Sequence, residues 1–218
     1  MTSLYDEGYF RSWLDMPDAA FALVSRQRAQ KIQPYVGASD RIFEYGVGTG
    51  LNVALLNCGA RHGYDINPNS NVVAREHGIE LIEPTKCEAG TYDVVICHHV
   101  LEHLLNPVEC LVEISQLLRR GGTLLLFVPY EEQRRFRSYI SNDPNHHLYS
   151  WTPHTLANLL GECGFNLRSA GIERFGYDRF CARMAVKFAI GNVGYRFIRW
   201  CAHLLRPERE VRIVAEWP

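Results

Sequence analysis

The stretch Ile42–Asn52, IFEYGVGTGLN, runs a short apolar segment into three alternating glycines, Gly46, Gly48 and Gly50, with a carboxylate, Glu44, inside the segment. Glycines in that pattern mark a strand end where the backbone turns tightly and approaches something that side chains would hold off. The expected continuation is a helix over LNVALLNC, which gathers backbone N–H groups at the carboxyl end of the first strand. Open α/β sheets bind ligands at that end.

The next strand ends in Asp65, 19 residues after Gly46. A carboxylate at about that distance can accept hydrogen bonds from two ribose hydroxyls, which predicts a nucleoside with its 2′-hydroxyl intact. A dinucleotide loop needs GxGxxG, whose third glycine lets the helix pack close to the strand. Here Leu51 takes that place and Gly50 comes one residue early, so NAD is disfavoured.

Outward from this loop, short apolar strands alternate with helices, the pattern of a parallel sheet covered on both faces. The strand candidates are RIFEY, HGYDI, IELIE, YDVVIC and TLLLFVP, followed by NLRSAGIERF and EVRIVAEWP. In NPVECLVEISQLLRRGG, Asn106 is placed to cap, Pro107 suits the first helical position, Glu109 completes a capping box and Gly121 supplies a left-handed stop. Thr152 and Pro153 open TPHTLANLLGECG, and Gly164 closes it. Upstream, MPDAAFALVSRQRAQKI reads as a helix with Asp15 as cap and Pro17 near the first turn, so residues 1–38 form a helical lid or flank. One domain over residues 1–218 is expected, since 218 residues, 47% of them hydrophobic, suit a single core.

The seven cysteines are odd in number and contain no CxxC, which argues against a disulfide framework or a zinc knuckle. Neither a membrane-length apolar run nor a basic, apolar leader is visible, so a cytoplasmic location is expected. Through residue 118 the chain holds 8 basic and 15 acidic residues, and afterwards 15 and 9, a split of −7 and +6 inside a net charge of −1. Such a split fits an anionic partner on the C-terminal half, or two faces that attract one another. No recognition module accompanies the basic residues, and nucleic acid is not expected as a partner.

Taken together, FEYGVGTG, YDINP, YDVVICHHVLEHL, LLRRGGTLLLFVP and HHLYSWTPHTLANLLGECGF resemble, in order, the motifs of class I S-adenosylmethionine-dependent methyltransferases over roughly residues 38–175. The resemblance implies an α/β, Rossmann-like, seven-stranded and mostly parallel sheet, with helices on both faces and an antiparallel last strand. It implies S-adenosyl-L-methionine as cofactor, with Gly46, Gly48 and Gly50 along its methionine part and Glu44 organising the ammonium end. Asp65 would hold the ribose and Ile66 would lie against the adenine. Cys97, His98 and His99 would sit near the sulfonium and the acceptor. The family's acid after the third strand has no clear match in IEPTKCEAG, where Glu83, Thr85 and Glu88 are the candidates for the adenine amine.

His99–His103, HVLEH, also spells HxxEH, a zinc-peptidase signature that requires both histidines on one helical face and a third ligand from elsewhere. The expected helix starts only at Asn106, and no metal is expected here. Methyl transfer to oxygen needs alignment, exclusion of water and a base for the acceptor proton. His98 and His147 are the candidate bases, with His146 and Tyr149 lining the acceptor side. Residues 130–150 exceed an ordinary strand-to-helix loop, and their Arg134 and Arg135 suit an anionic small-molecule or glycan-precursor acceptor. The connector 176–209 mixes basic and aromatic residues, and Gly191 and Gly194 should interrupt any helix in it. It reads as a core-covering or dimer-forming element, with peripheral membrane contact as the other reading. Competing functions are an NAD-linked oxidoreductase, a zinc hydrolase through HVLEH and a non-catalytic cofactor-binding protein.

Overall fold

A computed structural model describes residues 16–131, 138, 139, 141 and 145–218. Seven strands form one sheet: β1 (Arg41–Tyr45), β2 (Ala60–Tyr64), β3 (Glu80–Leu81), β4 (Tyr92–His98), β5 (Leu118–Pro129), β6 (Asn166–Phe175) and β7 (Glu208–Glu216). Their order is β3-β2-β1-β4-β5-β7-β6, and β7 runs antiparallel to both of its neighbours while the other pairs are parallel. All seven expected strands are present, and the fold is the Rossmann-like one that the motifs imply. The strand order reverses direction between β1 and β4, which opens a crevice at their carboxyl ends.

The described helices are α1 (Asp18–Ile32), α2 (Pro68–Glu76), α3 (Pro107–Leu117), α4 (Pro153–Glu162), α5 (Asp178–Lys187) and α6 (Gly191–Leu205). Alternation along β4 sends Val95 and Cys97 to the face covered by α3 and α4, and Val94 and Ile96 to the face covered by α1 and α2. The central strands are therefore apolar on both sides, as a doubly covered parallel sheet requires. A third cluster joins Ala20 and Val24 of α1, Leu51 of the glycine segment, Cys181, Ala182 and Ala185 of α5, and Tyr195 of α6. The connector thus folds as two helices over α1, immediately above the glycine loop.

Several local expectations change. LNVALLNC is a run of turns rather than a helix, with Val53 N and Ala54 N both donating to the Gly50 carbonyl at 3.1 and 3.0 Å. Gly59 N and Ala60 N bond the Asp40 carbonyl at 2.8 and 3.2 Å, which draws the chain into β2 before a helix can propagate. Gly121 has a left-handed φ of 74° but does not end α3, because Leu118 is already extended, buried and paired with Tyr92. Asn106 bonds the Glu109 carboxylate at 2.8 Å instead of a backbone N–H. The break in the connector falls at Phe188–Ile190, and Gly194 lies inside α6 against Ile190. Thr152 does cap α4, through a reciprocal box with Thr155. The Asp15 cap lies outside the described residues.

On the outer side of α6, Val193, Phe197, Trp200 and Leu204 recur at helical spacing and are all more than half exposed. No described helix is long and apolar enough to cross a membrane.

Candidate active site

The glycine loop leaves β1 where Gly46 N and Val47 N bond the Tyr64 carbonyl of β2, at 2.9 and 3.1 Å. Gly46 has φ 76°, and a Cβ there would stand 2.2 Å from Val100 Cγ2, so only glycine allows the loop to lie against the segment after β4. Gly48 faces open space, with nothing within 4 Å of where its Cβ would be. Its N–H donates to Asp65 Oδ2 at 2.9 Å, while Asn67 N donates to Oδ1 at 2.8 Å. Asn71 brackets the Asp65 backbone, accepting from its N–H at 3.1 Å and donating to its carbonyl at 2.8 Å. Each carboxylate oxygen keeps a lone pair for a further donor. Beside it Ile66 is 89% exposed, an apolar surface at the rim of the crevice. These residues fit a nucleoside: an oriented acid, a bare backbone loop and an apolar plate.

Glu44 is fully buried, and its Oε1 accepts from the Asn52 amide while Oε2 has no partner among the described residues. Arg28 Nη1 of α1 donates to Asn52 Oδ1 at 2.8 Å, and Arg28 Nε lies 3.5 Å from Asp178 Oδ2 of α5. This relay ties the helical layer to the floor of the glycine loop. Burial pushes the Glu44 carboxyl up to about 8, against the pull of Asn52 and Arg28. The folded pKa exceeds the unfolded one, so this group's contribution to stability is complete below about 4.5 and is lost as pH rises through about 8. Glu44→Gln is therefore expected to flatten that loss: melting temperatures at pH 5 and pH 9 should differ less than in the wild type, and equal slopes would contradict the assignment.

At the end of β4, Cys97 turns into the core against Cys110, and only its backbone reaches the crevice. Strand alternation commits the Cys97 side chain to the α3 face, so any part of Cys97 in the cofactor site would fall to its backbone. His98 turns the other way and is buried, with Nε2 3.4 Å from Glu210 Oε2 and 3.5 Å from Lys31 Nζ. Burial, with His99 and Lys31 nearby, holds the His98 imidazole well below its usual range, so it stays neutral. His99 has a left-handed φ of 56°, stacks on His98 at 4.4 Å and places Nε2 3.2 Å from Glu210 Oε2. Burial alone would raise the Glu210 carboxyl, but Lys31, His98 and His99 outweigh it and hold it well below the usual range.

Leu101–His103 form a single 3-10 turn, not the α-helix that the HxxEH signature requires. His99 turns to Glu210, whereas His103 packs edge-on to His147 with ring centroids 4.9 Å apart, so the two motif histidines do not converge. The zinc-peptidase reading fails on this geometry. His147 instead joins Glu102 and His103, while its Nδ1 bonds Glu131. Tyr149 donates its hydroxyl to the Leu105 carbonyl at 3.0 Å and stacks on Trp151, and His146 has φ 45°. Arg134 and Arg135 lie outside the described residues.

Comparison with known proteins decides the family. The family described as a methyltransferase domain matches residues 11–170 of this chain. The chain belongs to the methyltransferase domain family. That is the expected class I, S-adenosylmethionine-dependent family, and its sheet order is the one found here. A ubiquinone biosynthesis O-methyltransferase of Xanthomonas campestris pv. campestris is 32% identical over 99 residues, 39% of this chain and 41% of that protein. One from Bordetella avium is 30% identical over 128 residues, covering 50% and 53%. This methyltransferase thus spans about half the length of the curated relatives it matches, or less.

Among solved structures, a phosphoethanolamine N-methyltransferase 2 of Haemonchus contortus, with S-adenosyl-L-methionine, aligns at TM-score 0.62 and 16% identity, covering 96% of this chain and 60% of that one. The [4+2]-cyclase SpnF aligns at TM-score 0.59 and 17% identity, covering 89% and 81%. Likeness at those identities concerns the fold.

The methyltransferase brings Gly46, Gly48, Gly50, Asp65, Ile66, His98 and His99 to one edge of the sheet, and carries Glu44 beneath it. Sequence reasoning missed Lys31, Glu210, Arg28, Asn52 and Glu131. A charged residue opening the otherwise apolar strand EVRIVAE was the available signal for Glu210. The partners of the others are set by packing between segments far apart in sequence.

Proposed function

We propose that this methyltransferase holds S-adenosyl-L-methionine across the carboxyl ends of β1, β2 and β4 and transfers its methyl group to a hydroxyl of a small-molecule acceptor. One observation carries the cofactor reading: Gly48 and Asp65 are joined by a hydrogen bond, leaving the acid's remaining lone pairs and exposed Ile66 side by side. Asp65 would take the ribose hydroxyls and Ile66 the adenine face. Glu44 would organise the ammonium end indirectly, through its bond to Asn52 beneath the loop, since its side chain is fully covered.

The bound sulfonium supplies an activated methyl group. The chain's part is to align the acceptor oxygen and exclude water, for which orientation can contribute up to about 7–11 kcal/mol in ideal cases. Forming the carbon–oxygen bond would be balanced by breaking the sulfur–methyl bond, with S-adenosylhomocysteine as the leaving group, and the chain would have to take up the acceptor proton on a side chain. His98 is pinned between Lys31 and Glu210, which leaves the His147–Glu131 pair as the better-placed acceptor of that proton.

Transfer to oxygen is favoured by the O-methyltransferase names of the curated relatives. The experiment is methyl-labelled cofactor offered with panels of phenols, sugars and amines, with products analysed by mass spectrometry. Label on a hydroxyl oxygen is expected. Transfer confined to nitrogen or carbon would overturn the acceptor assignment.

A further inference from the structure

Glu102 is 1% exposed, yet neither of its carboxylate oxygens has a hydrogen-bond partner among the described residues. A buried carboxylate left in that state is costly unless a cation or a proton completes it. Among the described residues, its ion-pair partners are histidines rather than lysine or arginine. His103 Nε2 lies 3.7 Å from Glu102 Oε1, and one ligand atom from each of Glu102, His103 and His147 fits within a 4.8 Å span. Ligands of a tetrahedral zinc ion stand roughly 3.3 Å apart, so a small contraction would close the group on an ion.

The ring orientations point the same way. Nδ1 of His147 bonds the Glu131 carboxylate, and the His103 ring is hydrogen-bonded to the His146 backbone. A carboxylate or a carbonyl on the second nitrogen is how metal-binding histidines are held. The other His/Glu trio, His98, His99 and Glu210, is already satisfied by Lys31.

We propose that Glu102, His103 and His147 bind one divalent transition-metal ion, zinc in the first instance, with Glu131 orienting His147 and an open position facing the acceptor. This rests on the methyl-transfer reading for its role and departs from the sequence expectation of no metal. Val100, two residues before Glu102, touches the glycine loop at Gly46, which puts the site beside the crevice. Two histidines and one carboxylate form a donor set of catalytic zinc sites, in which the remaining positions take water or substrate oxygen. A bound ion there would draw an acceptor hydroxyl toward its oxyanion form, and the departing proton would go to solvent or a metal-bound hydroxide.

The test is equilibrium dialysis of the full chain, stripped with chelator, against Zn2+, with bound metal counted by mass spectrometry and Co2+ absorption as a second probe. One equivalent is expected. Glu102→Gln and His147→Ala should each weaken binding at least about 100-fold, and Glu131→Gln roughly 10- to 100-fold. The seven thiols provide an alternative home for zinc, so equal binding by wild type and Glu102→Gln would overturn the proposal, as would no bound metal. S-adenosylhomocysteine binding, measured on the same samples, reports folding of the variants and tests the cofactor reading separately. Retained cofactor binding without metal would remove the ion and leave His147–Glu131 as the base.

Discussion

Asp65→Ala is expected to weaken S-adenosylhomocysteine binding by about 2–4 kcal/mol, roughly 30- to 1,000-fold in Kd. The carboxylate is preset for two ribose hydroxyls by Gly48 N–H at 2.9 Å and Asn67 N–H at 2.8 Å, and hydrogen bonds to a charged acceptor are the stronger kind. The fold should survive, because the Gly46 and Val47 N–H bonds to the Tyr64 carbonyl fix the loop independently of Asp65. Calorimetric titration beside a melting curve separates the two effects. Unchanged affinity would mean that the ribose lies elsewhere.

Glu210→Ala should have the largest effect on stability, about 3–5 kcal/mol, which for a chain of this size lowers the Tm by roughly 6–20 °C. Glu210 is fully buried and shared by Lys31 of α1 and by His98 and His99 at the end of β4. Its removal leaves the Lys31 ammonium with only neutral company, His98 Nε2 at 3.5 Å and the Phe127 ring centroid at 3.8 Å. Replacing both Lys31 and Glu210 with methionine should recover most of the loss, because the penalty comes from an uncompensated charge rather than from lost packing. A single variant melting with the wild type would show that the ion pair does not hold α1 to β7.

The sheet was legible in the sequence because each strand carries its own local signal: RIFEY, YDVVIC and TLLLFVP are apolar on both faces and bounded by turn residues. The cofactor end was legible for a related reason, since Gly46 to Asp65 is one strand–turn–strand unit whose spacing is fixed by local geometry. The direction of the Cys97 side chain was not legible, because it depends on strand parity relative to α3, which neighbouring residues do not reveal. The expected helix after Gly50 failed because Asp40, on the far side of β1, captures Gly59 and Ala60. Buried Glu102 was hidden for a similar reason: in HVLEH it reads as part of a hydrolase motif, and its grouping with His103 is completed by His147, 45 residues later.

The central claim is that the crevice between β1 and β4 takes an adenosyl sulfonium cofactor and rejects a dinucleotide. Titrating the purified chain with S-adenosylhomocysteine and, separately, with NAD tests it most directly. Saturable one-to-one binding of S-adenosylhomocysteine, lost in Asp65→Ala and absent for NAD, is the predicted result. Saturable NAD binding with no response to S-adenosylhomocysteine would contradict it.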